Sequence, residues 1–315
     1  MRLLVLGGTG FVGRHIAELA LARGDEVTLF NRGRSAPRLF PDAELRRGDR
    51  GGDLSALAGD SSWDGAIDVT GYRPQEVDAS SRLLAERVER LTFISTVSVY
   101  ADVTRPGVAE DAPLAALAGT GGWEDYGALK ALCEDAVRDA LPARALIVRP
   151  CIVAGPHDPT NRFSWWVARC ARGGRVPAPA PPERPIQLID ARDLAAFVLD
   201  MTGARATGTY NAVGEHLTWA DMLAACCAAA PGAAPVWVPE AELVAAGVDE
   251  SQLPLWIPEA DPVSAGFMRI DGTRAVAAGL RRRSLELTAR DTRAALRPED
   301  GPGLDPAVEA RLIAA

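Results

Sequence analysis

The chain opens with a short apolar run, Leu3 to Leu6, that stops at Gly7-Gly8-Thr9-Gly10-Phe11-Val12-Gly13. Apolar residues then recur with helical spacing at Val12, Ile16, Leu19 and Ala20 until Gly24. Residues 26–30 read as a second strand, so the segment is β-α-β. A glycine-rich turn between a strand and a helix restricts the fold strongly. Glycine lets the backbone turn tightly and lets a pyrophosphate approach the helix N-terminus, where free N–H groups and the dipole favour negative charge. The pattern predicts a Rossmann-type α/β fold, a doubly wound parallel sheet. A dinucleotide would bind at Gly7, Gly10, Phe11, Val12 and Gly13.

The alternation continues with strands near residues 43–47, 65–70, 91–95 and 145–149, and helices over 77–88 and 126–140. Such alternation predicts a sheet covered on both faces. Beyond Pro150, proline- and glycine-rich segments at 177–185, 231–235 and 254–262 separate shorter elements, which predicts a smaller C-terminal substrate lobe. Residues 186–189 and 194–201 read as strand then helix and are expected to return to the sheet. The 315 residues thus divide into a dinucleotide-binding domain, 1–155 with 185–215 returning to it, and a lobe of 156–184 and 216–315.

The 34 basic and 42 acidic residues leave a net charge of −8, so the chain as a whole repels nucleic acid and anionic membrane. Neither is expected as a partner. The opening apolar run is too short for a signal peptide, and the Ala-rich stretch 217–238 is broken by Asp221 and Pro231-Gly232 before it could span a bilayer. Five cysteines without a C-x-x-C pair suggest reduced thiols, which places the protein in the cytoplasm. His15, His157 and His216 lack ligand spacing, so no metal is expected.

At the end of the second strand, where a carboxylate commonly accepts from ribose hydroxyls, stand Asn31 and Arg32, with Arg34 close behind. Guanidiniums without an acid suit a 2′-phosphate, so NADP is expected as cofactor, with NAD as the alternative. Asp49, after the third strand, is a candidate acceptor for the adenine amino group. Thr70 and Gly71 after the fourth strand, and Pro150 after the sixth, complete the expected cofactor contacts.

Lys130 is the single lysine of the chain, and it falls four residues after Tyr126 in Tyr126-Gly127-Ala128-Leu129-Lys130. Residues i and i+4 share one helix face. An ammonium there is expected to lower the tyrosine pKa from about 10 toward working pH, making the phenol a usable proton donor and acceptor, and to reach cofactor hydroxyls.

With these residues in place the chain resembles the extended branch of the short-chain dehydrogenase/reductase superfamily, the NAD-dependent epimerase/dehydratase group. The resemblance rests on residues 7–13, Phe93-Ile94-Ser95-Thr96-Val97-Ser98-Val99-Tyr100, Tyr126 to Lys130, Val148-Arg149-Pro150, Ile189-Asp190-Ala191-Arg192-Asp193-Leu194-Ala195 and Asp271-Gly272-Thr273-Arg274-Ala275. It implies a catalytic set of Thr96, Tyr126 and Lys130. Thr96, or alternatively Ser98, would bond the reacting oxygen while Tyr126 exchanges its proton. Relatives that dehydrate nucleotide sugars carry Asp-Glu directly after that threonine, whereas this chain has Val97-Ser98. Dehydration is therefore not expected. The arginine that grips a nucleotide-sugar diphosphate in such relatives is matched by Ile186, with Arg184 displaced along the chain. The expected function is NADP-preferring oxidoreduction, hydride passing between nicotinamide and a carbonyl or secondary alcohol of a small molecule. A nucleotide-sugar epimerase that retains NAD and a non-catalytic dinucleotide-binding sensor or scaffold are the alternatives, and a homodimer stays open. Trp165-Trp166 reads as lobe packing or as the wall of an aromatic pocket, and Arg281-Arg282-Arg283 as a solvated helix end.

Overall fold

The structure, a computed structural model, describes residues 1–34, 36, 38–119, 125–297 and 303–314. Strands β1 (Arg2–Leu6), β2 (Glu26–Asn31), β3 (Glu44–Arg47), β4 (Gly65–Asp68), β5 (Leu91–Ile94), β6 (Ala145–Pro150) and β7 (Gly208–Ala212) form one sheet in the order β7-β6-β5-β4-β1-β2-β3. Every neighbouring pair is parallel. From β1 the chain builds outward through β2 and β3, then crosses to β4 on the other side and builds outward again. The crossing is a topological switch point, and ligands of such sheets sit beyond the carboxyl ends of the strands there.

Alternation of side chains across β1 explains why its run is apolar throughout. Leu3 and Val5 join the core beneath Ile16 and Val198, while Leu4 and Leu6 join the core beneath Val77 and Val137. The first layer is helix α1 (Phe11–Ala22) packed on α5 (Ala191–Gly203), and the second is α2 (Pro74–Leu84) packed on α3 (Tyr126–Ala140). Helix α2 starts at Pro74, ahead of its apolar period at Val77, because proline lacks only an N–H that the first turn does not use.

Of the segment 185–215 expected to return to the sheet, helix α5 and the strand after it do so, whereas residues 185–190 do not. Pro185–Ile186 pairs antiparallel with Leu217–Thr218, and Leu188–Asp190 pairs parallel with Ile152–Ala154, both outside the main sheet. Gln187 divides them: its buried carboxamide donates to Gly214 O and Ile270 O and accepts from Ile270 N. The strand that does join the sheet is β7, which pairs with β6.

The remaining core lies under α4 (Phe163–Ala171) and α6 (Trp219–Ala229), with Gly174–Pro179 and Ala233–Val238 paired parallel. Trp165 and Trp166 are buried there, edge-to-face with each other at 4.6 Å, and Trp166 meets Trp219 at 5.0 Å. They are packing residues. Of the arginine run 281–283, Arg281 is exposed, but the other two are not solvated. Arg282 donates to Val213 O at 2.9 Å, and Arg283 donates to Asp193 Oδ1 at 2.8 Å, supplying counter-charge to the buried carboxylates at the start of α5.

Candidate active site

Gly7 and Gly8 adopt φ of 115° and 88°, conformations that side chains rarely take. A Cβ on Gly13 would lie 2.7 Å from Gly8 N, so this glycine lets α1 lie against the loop. Gly10 caps α1 with open space beside it, and the first turn carries neither a capping side chain nor an acid. Backbone donors with no side-chain competitor fit a dinucleotide pyrophosphate. Phe11 and Val12 are half-buried in that first turn.

Asn31 binds the loop rather than standing apart from it. Its Nδ2 donates to Gly7 O at 3.2 Å, and its Oδ1 accepts from Gly33 N at 2.7 Å. Arg32 and Arg34 are exposed on the turn thus fixed. The side chain of Arg47, at the end of β3, lies beneath the same turn, with Nε 3.0 Å from where a Gly33 Cβ would stand. Sequence reasoning did not single it out. Asp49 is exposed and accepts from Gly51 N at 3.1 Å.

Thr96 follows β5 in extended conformation, accepting from Ser98 N and donating to Ser98 Oγ, both at 3.1 Å. Tyr126 opens α3, and its phenol is hydrogen-bonded with the Thr96 side chain. Gly127 makes this approach feasible, since a Cβ there would lie 2.0 Å from Ser98 O. One helical turn on, Lys130 is buried, and its Nζ donates to Ile94 O at 2.7 Å and Gly71 O at 2.8 Å. The ammonium also lies 4.1 Å from the Phe93 ring centroid and 5.5 Å from that of Tyr72. Thr70 N donates to Asp68 Oδ1 at 3.0 Å, and Pro150 is buried at the end of β6. The structure therefore brings Thr96, Tyr126, Lys130 and Gly71 together beside the switch point.

The electrostatics depart from the sequence expectation. Burial pushes the Tyr126 phenol above its ordinary value, Tyr72 adds to this, and the bond with Thr96 offsets it only in part. Burial lowers Lys130 to about 8, against the opposing pull of the Asp68 carboxylate. The net shift of the tyrosine is upward, opposite to what the i, i+4 pairing alone suggests. The Lys130 ammonium is directed at two carbonyls, and desolvation dominates at the phenol.

Two buried ion pairs frame this set. Arg50, 9% exposed, grips both oxygens of Asp68, 1% exposed, and also donates to Ser80 Oγ at 2.7 Å and Thr70 Oγ1 at 3.3 Å. It fastens the end of β3 to the end of β4 and fixes the turn that offers Gly71 O to Lys130. Arg149 holds Glu134 of α3 through bonds of 2.8 and 2.6 Å, while Ser95 Oγ donates to the same carboxylate at 2.6 Å. Tyr72, 57% exposed, leaves an aromatic face open next to Lys130. Its only sequence signal is its place directly after Gly71.

His15 and His157, distant in sequence, meet with ring centroids 6.0 Å apart. Among the described residues no group of three or more His, Cys, Asp or Glu is placed to hold a metal ion, and no helix is long and apolar enough to cross a membrane. Ile186 is buried, and the neighbouring Arg184 is paired with Glu240 at 2.8 Å.

Residues 3–66 and 76–212, which hold the glycine loop, Thr96, Tyr126 and Lys130, match the NAD dependent epimerase/dehydratase family. The chain belongs to this family. It is 26% identical over 262 residues to the chloroplast stem-loop binding protein of 41 kDa b of Arabidopsis thaliana, an alignment covering 77% of this chain and 65% of that protein. The chain thus spans about 65% of the length of that relative. Among solved structures it resembles the UDP-N-acetylglucosamine 4-epimerase of Bacillus cereus, with 16% identity, a TM-score of 0.66, and coverage of 94% and 99% of the two chains. It also resembles the Bordetella bronchiseptica enzyme WbmH in complex with NAD+, with 17% identity, a TM-score of 0.68, and coverage of 95% and 99%. These likenesses show the fold.

Proposed function

We propose that this family member catalyses NAD(P)-dependent oxidoreduction of a small molecule at a carbonyl or secondary alcohol. The observation that carries this reading is the convergence of Thr96, Tyr126 and Lys130 beside the glycine loop. A bound nicotinamide supplies the hydride donor or acceptor. Gly7, Gly10, Phe11, Val12 and Gly13 hold the pyrophosphate; Arg32 and Arg34 face the 2′-phosphate end, and Asp49 the adenine. The turn Thr70-Gly71 and Pro150 border the nicotinamide side. Thr96 orients the substrate oxygen, and Tyr126 gives that oxygen a proton in reduction or takes one in oxidation. Lys130 anchors the turn through Gly71 O and keeps positive charge beside the phenol.

Epimerisation with retained NAD is the second reading, supported by the likeness to nucleotide-sugar 4-epimerases. Against a nucleotide diphosphate stand the buried Ile186 and the pairing of Arg184 with Glu240. Stem-loop binding is not carried over, because a net charge of −8 opposes a phosphate backbone. The test is the nucleotide released when purified protein is heat-denatured. Freely exchanging NADPH supports the reductase, stoichiometric NAD supports the epimerase, and bound nucleotide without turnover on either carbonyl substrates or nucleotide sugars removes both.

Cofactor choice has its own test. Arg32→Ala should weaken NADP relative to NAD by about 1–3 kcal/mol, the range for a lost charge-assisted bond. Calorimetric titration of both nucleotides reads this, and equal losses would show that Arg32 does not read the 2′-phosphate. Tyr72→Ala should raise KM for the substrate by about tenfold with kcat little changed, as expected for loss of an aromatic wall that contacts substrate in ground and transition states alike. A fall confined to kcat would contradict that role.

A further inference from the structure

The lobe core holds a cluster of thiols that the proposed reaction does not use. Cys170 lies in the last turn of α4, and Cys226 and Cys227 lie in the last turns of α6. Cys170 Sγ and Cys227 Sγ are 3.8 Å apart, in van der Waals contact. Cys170 and Cys226 are fully buried, whereas Cys227 is half-buried and open to small solutes. Trp166 on α4 and Trp219 on α6, packed edge-to-face at 5.0 Å, hold the same two helices together further along. The two sulfurs therefore face each other from a fixed pair of helices.

We propose that Cys170 and Cys227 form an oxidisable dithiol, which hydrogen peroxide converts to a disulfide joining α4 to α6. In the first step the Cys227 thiolate attacks a peroxide oxygen and the O–O bond breaks. This leaves Cys227 as sulfenic acid, and the departing oxygen takes up the proton released by the thiol to give water. In the second step the Cys170 thiolate attacks the Cys227 sulfur. The S–S bond forms, the S–O bond breaks, and the hydroxide leaves as water with the proton of Cys170. Two thiols are oxidised, one peroxide is reduced, and two waters result. Rotation of the side chains from contact to the bonded separation of about 2.0 Å closes the bridge. Cys226 is adjacent to Cys227 on one helix, so a bridge between those two would break the helical backbone.

Exposure rather than acidity sets this order, since Cys227 is the member of the pair that a solute can reach. Bonds from Cys226 and then Cys227 pull the Cys170 thiol down against its burial, which favours it as the resolving thiolate. Burial pushes Cys227 up to about 12, so its first attack quickens as pH rises. Cys133 and Cys151 are buried elsewhere and serve as internal controls.

The experiment treats the full chain with hydrogen peroxide at about pH 8, alkylates it under denaturing conditions, and maps the tryptic peptides. The expected result is a fall from five titratable thiols to three, a single cross-linked pair containing Cys170 and Cys227, and recovery of all five thiols with dithiothreitol. C226S should still lose two thiols, and C227S none to cross-linking. Retention of five thiols, a bridge through Cys226, or over-oxidation of Cys227 without a bridge would each overturn the proposal. Should a variant fail to fold, fragment-ion sequencing of the wild-type cross-linked peptide decides, because trypsin leaves Cys226 and Cys227 on one peptide. No part of this test depends on nucleotide or turnover.

Discussion

Tyr126→Phe is expected to lower kcat by about 10²–10⁴-fold, the usual contribution of a positioned acid–base group, with the dinucleotide dissociation constant nearly unchanged. Phenylalanine keeps the ring at the start of α3 and removes only the hydroxyl bonded with Thr96. Lys130→Met should behave differently. It leaves Gly71 O and Ile94 O without their donor and frees the turn beside the cofactor, so binding and turnover fall together. The pH behaviour separates the two further. Because Lys130 is lowered to about 8 in the folded protein, the unfolded chain binds more protons between about pH 8 and the ordinary lysine value of 10.5. Stability therefore rises with pH through that window, and Lys130→Met should flatten the rise. Turnover near wild type in Tyr126→Phe would remove the acid–base role and bring the non-catalytic binding reading forward.

What the sequence discloses about this site is what depends on neighbours along the chain. The glycine loop is readable because its turn, its cap and its helix are contiguous, and α3 is readable because an i, i+4 pair needs only helical geometry to share a face. The ion pairs are not readable. Arg50 meets Asp68 across 18 positions, and Arg149 meets Glu134 across 15, and no local pattern marks one arginine among 33 as buried. The acidity of Tyr126 fails to follow from the motif for the same reason. Its direction is set by burial and by Tyr72, which arrives from the turn after a different strand. Residues 186–189 look like a sheet strand because all but Gln187 are apolar, yet the bonds of Gln187 to Gly214 and Ile270, far along the chain, go with a place outside the main sheet.

Glu134→Ala is expected to destabilise the fold by about 3–5 kcal/mol, the range for leaving one partner of a buried pair charged and alone. Arg149 is the partner left behind, 2% exposed, with its remaining bonds to Tyr100 Oη at 3.0 Å and Glu110 O at 3.1 Å. Burial pushes the Glu134 carboxyl up, but the bonds and charge of Arg149, with Ser95 and Arg138, outweigh it and hold the group below its ordinary 4.5. A lowered folded value means that the stabilisation is present above 4.5 and is lost as pH falls through the folded value below it. Urea denaturation should therefore show a wide gap between wild type and Glu134→Ala at neutral pH, narrowing in acid. Adding Arg149→Met to Glu134→Ala should recover part of the loss, because removing both charges leaves none unpaired. Since Glu134 ties α3 to β5 and β6 one turn beyond Lys130, the single variant should also lose turnover at temperatures where it remains folded. A destabilisation below about 1 kcal/mol would show that the pair is solvated in solution and does not fix the helix that carries Tyr126.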